Sequence, residues 1–208
     1  MATTPTTPTT PTVTYSPPAG LTIQAGGNIK TFLDLILKDS GQWTRGQAPL
    51  GPGGNQNICG IFKNLNYPGD EKTAWCAAFV NFVLKNTGYM YTQDVAVICF
   101  YQNPEKWGGT VIYDRKTKGD GWKQAQPGDI CIWDFVKPGD ANHINFVYEN
   151  KGDYLRFCGG NQDEKSPGNN NPSGSSVTAG DLLNWNPSKD RPKIQSVAMI
   201  FRPAKRPK

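Results

Sequence analysis

Ala74-Trp75-Cys76-Ala77-Ala78-Phe79-Val80-Asn81-Phe82-Val83-Leu84-Lys85-Asn86-Thr87-Gly88 is the stretch on which the fold turns. Apolar residues fill nearly every position from Trp75 to Leu84, and a helix that is apolar all round is buried rather than laid on a surface. Gly88 supplies the left-handed residue that commonly ends a helix, with Lys85 in the last turn. The helix therefore opens on a cysteine. Unpaired N–H groups and the helix dipole favour an anion at that end, and a thiolate is one. Two readings of Cys76 stand side by side: a nucleophile of lowered pKa, or a buried structural thiol of the kind most proteins contain.

Working outward, Ile29 to Leu37 carries a helical apolar pattern, and the segment after it is full of breakers through Gly51-Pro52-Gly53-Gly54. A short helix is predicted around Ile58–Leu65, followed by a turn at Tyr67-Pro68-Gly69-Asp70. Residues 89–126 are mixed and resist assignment. From Pro127 the period changes from helical to alternating. Strands are expected at Ile130–Phe135, His143–Glu149, Tyr154–Cys158 and Ile194–Phe201, with turns at Pro127-Gly128-Asp129, Lys137-Pro138-Gly139-Asp140 and Asn150-Lys151-Gly152-Asp153. Residues 163–176, rich in Asn, Gly, Ser and Pro, read as a surface loop. Helices first and an antiparallel meander afterwards indicate an α+β domain.

The 208 residues suit one domain with a core large enough to fold unaided. Residues 1–20 form a Thr/Pro-rich tail with too little apolar surface to order itself, residues 21–203 the domain, and residues 204–208 a basic C-terminal tail. The long tail reads as a spacer, a tether or an export tag. No stretch approaches the roughly 18 apolar residues that cross a bilayer, so no membrane insertion is expected. A net charge of +5 is too small for a nucleic-acid partner but helps binding to an anionic polymer. The start of the chain has neither basic nor apolar signal-peptide regions, so synthesis in the cytoplasm is expected, with export by another route. Five scattered cysteines with no CxxC pair and one histidine do not make a zinc site, and no metal or cofactor is expected.

That one histidine, His143, opens a predicted strand directly after a polar turn. A lone histidine is more often incidental than catalytic, yet imidazole is the usual base for a thiol because it titrates near neutrality. A third group should orient it. If the hairpin turn is centred on Lys151-Gly152, facing residues sum to 303 and His143 lies opposite Gly160; a sum of 304 puts Asn161 there. The apolar sets Ile144/Phe146/Tyr148 and Leu155/Phe157 favour 303, which turns Asn161 away unless a bulge at Gly159-Gly160 restores the parity. Gln162 is the alternative. Glu149 lies about 20 Å along the strand, too far to serve.

Thr73-Ala74-Trp75-Cys76-Ala77-Ala78-Phe79-Val80-Asn81, Pro127-Gly128-Asp129-Ile130, Asn142-His143-Ile144-Asn145-Phe146-Val147 and Gly159-Gly160-Asn161-Gln162, in this order, resemble the motifs of the CHAP branch of the NlpC/P60 cysteine peptidases. The resemblance runs from about Ile29 to Arg202. It implies a papain-like fold, N-terminal helices packed on an antiparallel sheet, and cleavage of amide bonds in peptidoglycan. It also implies catalytic roles for Cys76 as nucleophile, His143 as base and Asn161 as the orienting group. Many members carry a Glu two residues before that Asn, where this chain has Gly159, and Asn142 stands where a Gly or Ala usually precedes the histidine. The expected activity is that of an endopeptidase or an N-acetylmuramoyl-L-alanine amidase acting as a monomer, either a phage lysin or an exported antibacterial effector. A phage particle, a secretion apparatus or an immunity protein would be the partner. A non-enzymatic wall-binding or virion structural module on the same fold is the competing expectation.

Overall fold

A computed structural model of the chain describes residues 27–117, 120–134, 143–162, 176–180 and 196–207. Within them the helices come first: α1 (Ile29–Lys38), α2 (Gln56–Leu65), α3 (Cys76–Thr87) and the short α4 (Val97–Gln102). A minimal hairpin of β1 (Leu50–Gly51) and β2 (Gly54–Asn55) leads into α2. The main sheet comprises β3 (Thr110–Asp114), β4 (Ile130–Asp134), β5 (His143–Asn150), β6 (Leu155–Gln162), β7 (Ser176–Gly180) and β8 (Ser196–Arg202). Its order is β3-β8-β4-β5-β6-β7, every neighbour antiparallel. The architecture is α+β. No described helix is long and apolar enough to cross a membrane. The Thr/Pro-rich tail and the turn at Lys137-Pro138-Gly139-Asp140 lie outside the described residues, as does the predicted loop apart from Ser176, which opens β7.

Local chemistry sets the helix ends. The Asn28 side chain accepts from Lys30 N at 2.7 Å and starts α1. Asn55 accepts from the N–H groups of Asn57 and Ile58, so α2 begins at Gln56, two residues before the apolar pattern does. Gly88, at φ 80°, closes α3 in the left-handed conformation predicted for it. From Cys76 to Leu84, α3 is buried on every side, the physical outcome of its uninterrupted apolar run.

The sheet is covered on both faces. Ile130, Ile132, Ile144, Phe146 and Cys158 point into a core shared with α1, α2 and α3. Cys131, Trp133, Val147, Leu155, Phe157, Val197 and Ile200 point the other way, into a second core with Tyr113 and Trp122. Trp133 meets Phe157 edge-on there, centroids 4.9 Å apart. Ile144 and Phe146 therefore do not share a face with Leu155 and Phe157, contrary to the pairing expected from sequence. The hairpin pairs Phe146 with Cys158 and Val147 with Phe157, a sum of 304, after a bulge at Tyr148 shifts it from the 305 of Asn150 and Leu155.

Two further features tie the C-terminal residues to the core. In the turn before β4, buried Asp129 accepts from Gln126 N at 2.8 Å and takes the Arg202 guanidinium on both oxygens at 2.9 and 3.0 Å. Residues 204–207, set apart as a tail by composition, dock on the domain: Met90 N–H donates to Ala204 O and Arg206 N–H to Gly88 O. Lys205 donates to Thr87 O and the Arg206 guanidinium to Lys85 O. These cations sit where the α3 dipole is negative.

Candidate active site

Cys76 is the first residue of α3, and its side chain is 2% exposed. The preceding Trp75 lends no side-chain cap to the helix, which leaves the first N–H groups facing the sulfur. Burial pushes the thiol up to about 11, against the pull of the N–H groups of Ala77, Ile144 and Cys76 itself, which favour the anion. Two of those donors belong to the helix start. The third belongs to the residue after His143, so the sulfur lies against the first peptide of β5.

His143 is wholly buried at the start of β5, paired across the ladder with Trp133. Its Nε2 lies 3.1 Å from Gln162 Oε1. Asn145 Nδ2 donates to the same oxygen at 3.3 Å, and Trp133 Nε1 donates to Asn145 Oδ1 at 3.0 Å. These groups occupy the second face of the sheet, whereas α3 lies on the first. Sulfur and imidazole thus approach the His143–Ile144 peptide from its two sides, at the end of the strand.

The group bonded to the imidazole is Gln162, the sequence-level alternative, whereas Asn161, the expected one, turns its Oδ1 to the Arg45 guanidinium at 3.2 Å. The cause is backbone geometry. Simple parity in the 304 register would place Asn161 beside His143. But Asn161 adopts φ 57°, and β6 gains a residue against β7 between Gly159 and Gln162. From sequence, a bulge at Gly159-Gly160 is the condition for Asn161 to reach the imidazole; the bulge found, centred on Asn161, brings Gln162 round instead.

The two glycines serve opposite faces. A Cβ on Gly159 would lie 2.6 Å from Asn145 Cβ and 2.8 Å from Gln162 Oε1, so the Gln162 amide uses the space a side chain there would fill. A Cβ on Gly160 would lie 2.3 Å from the Trp75 ring and 2.9 Å from Phe79 Cβ. Trp75 is fully buried and meets Phe79 edge-on, so it belongs to the core under the helix start rather than to a cleft wall. Gly160→Ala should lower stability by about 2 kcal/mol, an overpacking cost at a site that cannot yield, with a fall in Tm measurable by calorimetry.

The other thiols are placed differently. Cys59, Cys131 and Cys158 are buried, whereas Cys99 is partly exposed and donates to Asp94 Oδ2 at 2.8 Å. The Asp94 carboxylate and burial together push the Cys99 thiol up. Among the described residues no cluster of His, Cys, Asp and Glu could hold a metal ion.

The raised pKa of Cys76 has a consequence for stability. The thiol ionises near 9.0 in an open chain and near 11 in the fold, so the folded state holds the proton more tightly. Its contribution is complete below about pH 9 and is lost as pH rises towards 11. Two pH units amount to about 2–3 kcal/mol. Urea titrations across that range should show a decline in wild type that is smaller by about this amount in Cys76→Ala.

Comparison of the chain with family models, curated proteins and solved structures gives no match.

Proposed function

We propose that the chain is a thiol hydrolase of amide bonds, with Cys76 as nucleophile and His143 as base, on a papain-like fold of the NlpC/P60 (CHAP) type. One observation carries this reading. The Cys76 sulfur at the start of a buried helix takes an N–H of the peptide beside the sole histidine, whose ring is itself bonded to Gln162. The four sequence motifs support peptidoglycan as substrate. Where relatives of that type carry a Glu at the position of Gly159, this chain delivers an amide to the same space from Gln162.

The chemistry proceeds through a neutral resting thiol. Burial holds the Cys76 thiol well above neutrality, so the proton leaves during attack rather than beforehand. His143 takes it while the sulfur adds to the amide carbonyl. The N–H groups of Cys76 and Ala77, released from the sulfur, stabilise the oxyanion, each worth roughly 3 kcal/mol. The imidazolium protonates the leaving amine as the C–N bond breaks. Water, deprotonated by the same ring, then hydrolyses the thioester to a carboxylic acid and regenerates the thiol.

The closed setting of the sulfur favours a second reading, a wall-binding or virion structural module that keeps the fold without the reaction. Digestion of purified peptidoglycan, followed by mass spectrometry of the muropeptides, separates the two. New termini in the stem peptide or cross-bridge identify an endopeptidase, and sugar chains freed of peptide identify an amidase. Muropeptides left unchanged would sink the hydrolase. Action on the wall from a cytoplasmic origin would follow lysis, injection or carriage in a phage particle.

A further inference from the structure

We propose that Trp133, acting through Asn145 and Gln162, fixes the tautomer of His143 so that Nε2 carries the proton and Nδ1 is left as the base. This deepens the hydrolase reading and rests on it for its catalytic meaning, although the tautomer itself can be read without any reaction.

One group in the chain of bonds, the Trp133 indole, has a polarity with no alternative. An indole N–H only donates. Trp133 Nε1 lies 3.0 Å from the Asn145 amide, so the atom facing it is Oδ1 and the NH2 points the other way. That NH2 reaches Gln162 at 3.3 Å, where it needs an acceptor, so the Gln162 atom in question is Oε1. The same oxygen stands 3.1 Å from His143 Nε2. An amide oxygen only accepts, so Nε2 carries the hydrogen. In a neutral imidazole the other nitrogen then holds the lone pair. Each amide is oriented by the one before it, and the first by the indole.

The surroundings hold the relay in place. Asn145 and Gln162 are fully buried, and an amide turned the wrong way in such a place leaves donor facing donor, at a cost of about 1–3 kcal/mol. Gly159 keeps the space beside both residues clear, since a Cβ there would lie 2.6 Å from Asn145 Cβ and 2.8 Å from Gln162 Oε1. The Trp133 ring is clamped edge-on by Phe157 in the second core. Trp133 and Asn145 are therefore positioning residues: they act through Gln162 on the imidazole and touch no reacting atom.

Because His143 is the only histidine, imidazole 15N spectra of the full chain need no assignment. Read on the alkaline side of its titration, the wild-type ring should appear as the Nε2–H tautomer. Trp133→Phe keeps the ring packing and removes the donor, so the two tautomers should mix. Asn145→Asp offers Gln162 only an acceptor, so the Gln162 amide should turn its NH2 towards the imidazole and the tautomer should invert to Nδ1–H. On peptidoglycan, Trp133→Phe should lose a few-fold in kcat. Asn145→Asp should lose far more, towards the order of 10^4 that a wrongly held histidine costs a serine triad, with KM little changed in either.

A wild-type ring protonated on Nδ1, or an Asn145→Asp ring still protonated on Nε2, overturns the proposal. A Trp133→Phe ring that stays wholly Nε2–H does so as well, as does undiminished turnover in an inverted Asn145→Asp. If the wild-type chain leaves peptidoglycan intact while the tautomers behave as stated, the hydrolase reading fails and the relay stands.

Discussion

On the proposed function, Cys76→Ala should abolish hydrolysis of peptidoglycan, a loss on the order of 10^5–10^6 in kcat, as for removal of the nucleophile from a catalytic triad. The expectation follows from position rather than from residue type. Cys76 Sγ is the atom on which the first N–H groups of α3 and the Ile144 N–H converge. Alanine keeps the helix start and removes that atom alone. Ala77 and Ala78 follow it in the same buried turn, so the variant should fold, with an unchanged circular dichroism spectrum as the control. Cys76→Ser is the sharper comparison. An alkoxide is harder to form than a thiolate, so on the proposed mechanism serine should restore little activity. Clearing by Cys76→Ala on a zymogram would place the chemistry elsewhere. A serine variant as active as wild type would argue that the sulfur is only structural.

The largest effect on stability is expected at a residue with no part in the chemistry. Asn55 is fully buried between the β1–β2 hairpin and α2. Its Oδ1 accepts from the N–H groups of Asn57 and Ile58, and its Nδ2 donates towards the carbonyls of Gln42, Thr44 and Gln47 at 2.9–3.1 Å. One amide thus closes the segment after α1 and caps α2. Asn55→Ala removes the cap, worth about 1 kcal/mol, and the two N–H donors of Nδ2, whose hydrogen bonds to that segment are together worth about 1–3 kcal/mol more. A total of about 2–4 kcal/mol lowers the Tm of a chain this long by roughly 4–16 °C. Calorimetry reads this directly. A fall smaller than that of Gly160→Ala would show that the segment tolerates the loss.

The two substitutions separate what was legible in the sequence from what was not. The α3 helix, its buried character and its glycine end follow from composition over a single turn-length repeat, and α1, the core of α2 and strands β4, β5 and β8 follow from local periodicity in the same way. The bond set of Asn55 is not local. Its acceptors lie 8 to 13 residues upstream, and nothing in the sequence around Asn55 marks it out beyond its capping residue type. Strand β3 and helix α4 fell in the mixed segment 89–126, and β7 begins in the stretch read as a loop. Short elements of this kind take their conformation from the sheet or core they join, not from their own propensity.

Register was the decisive gap. A strand buried on one face advertises its parity by alternation, but His143 to Val147 are all buried, because both faces of the sheet are covered. The apolar pattern favours 303 where the hairpin adopts 304, and the bulge at Asn161 then chooses Gln162 over Asn161.

From sequence alone came the α+β class, the helix that begins with Cys76, and the placing of His143 at the head of a strand, because these depend on neighbours a few residues apart. Only the tertiary structure decided that Gln162 and not Asn161 reaches the imidazole, that Trp133 and Asn145 stand behind it, and that the Cys76 thiol is buried, which pushes its pKa up. Those outcomes depend on a one-residue bulge at Asn161 and on what the opposite strand and the facing helix leave room for, and such distances exist only once the chain has closed on itself.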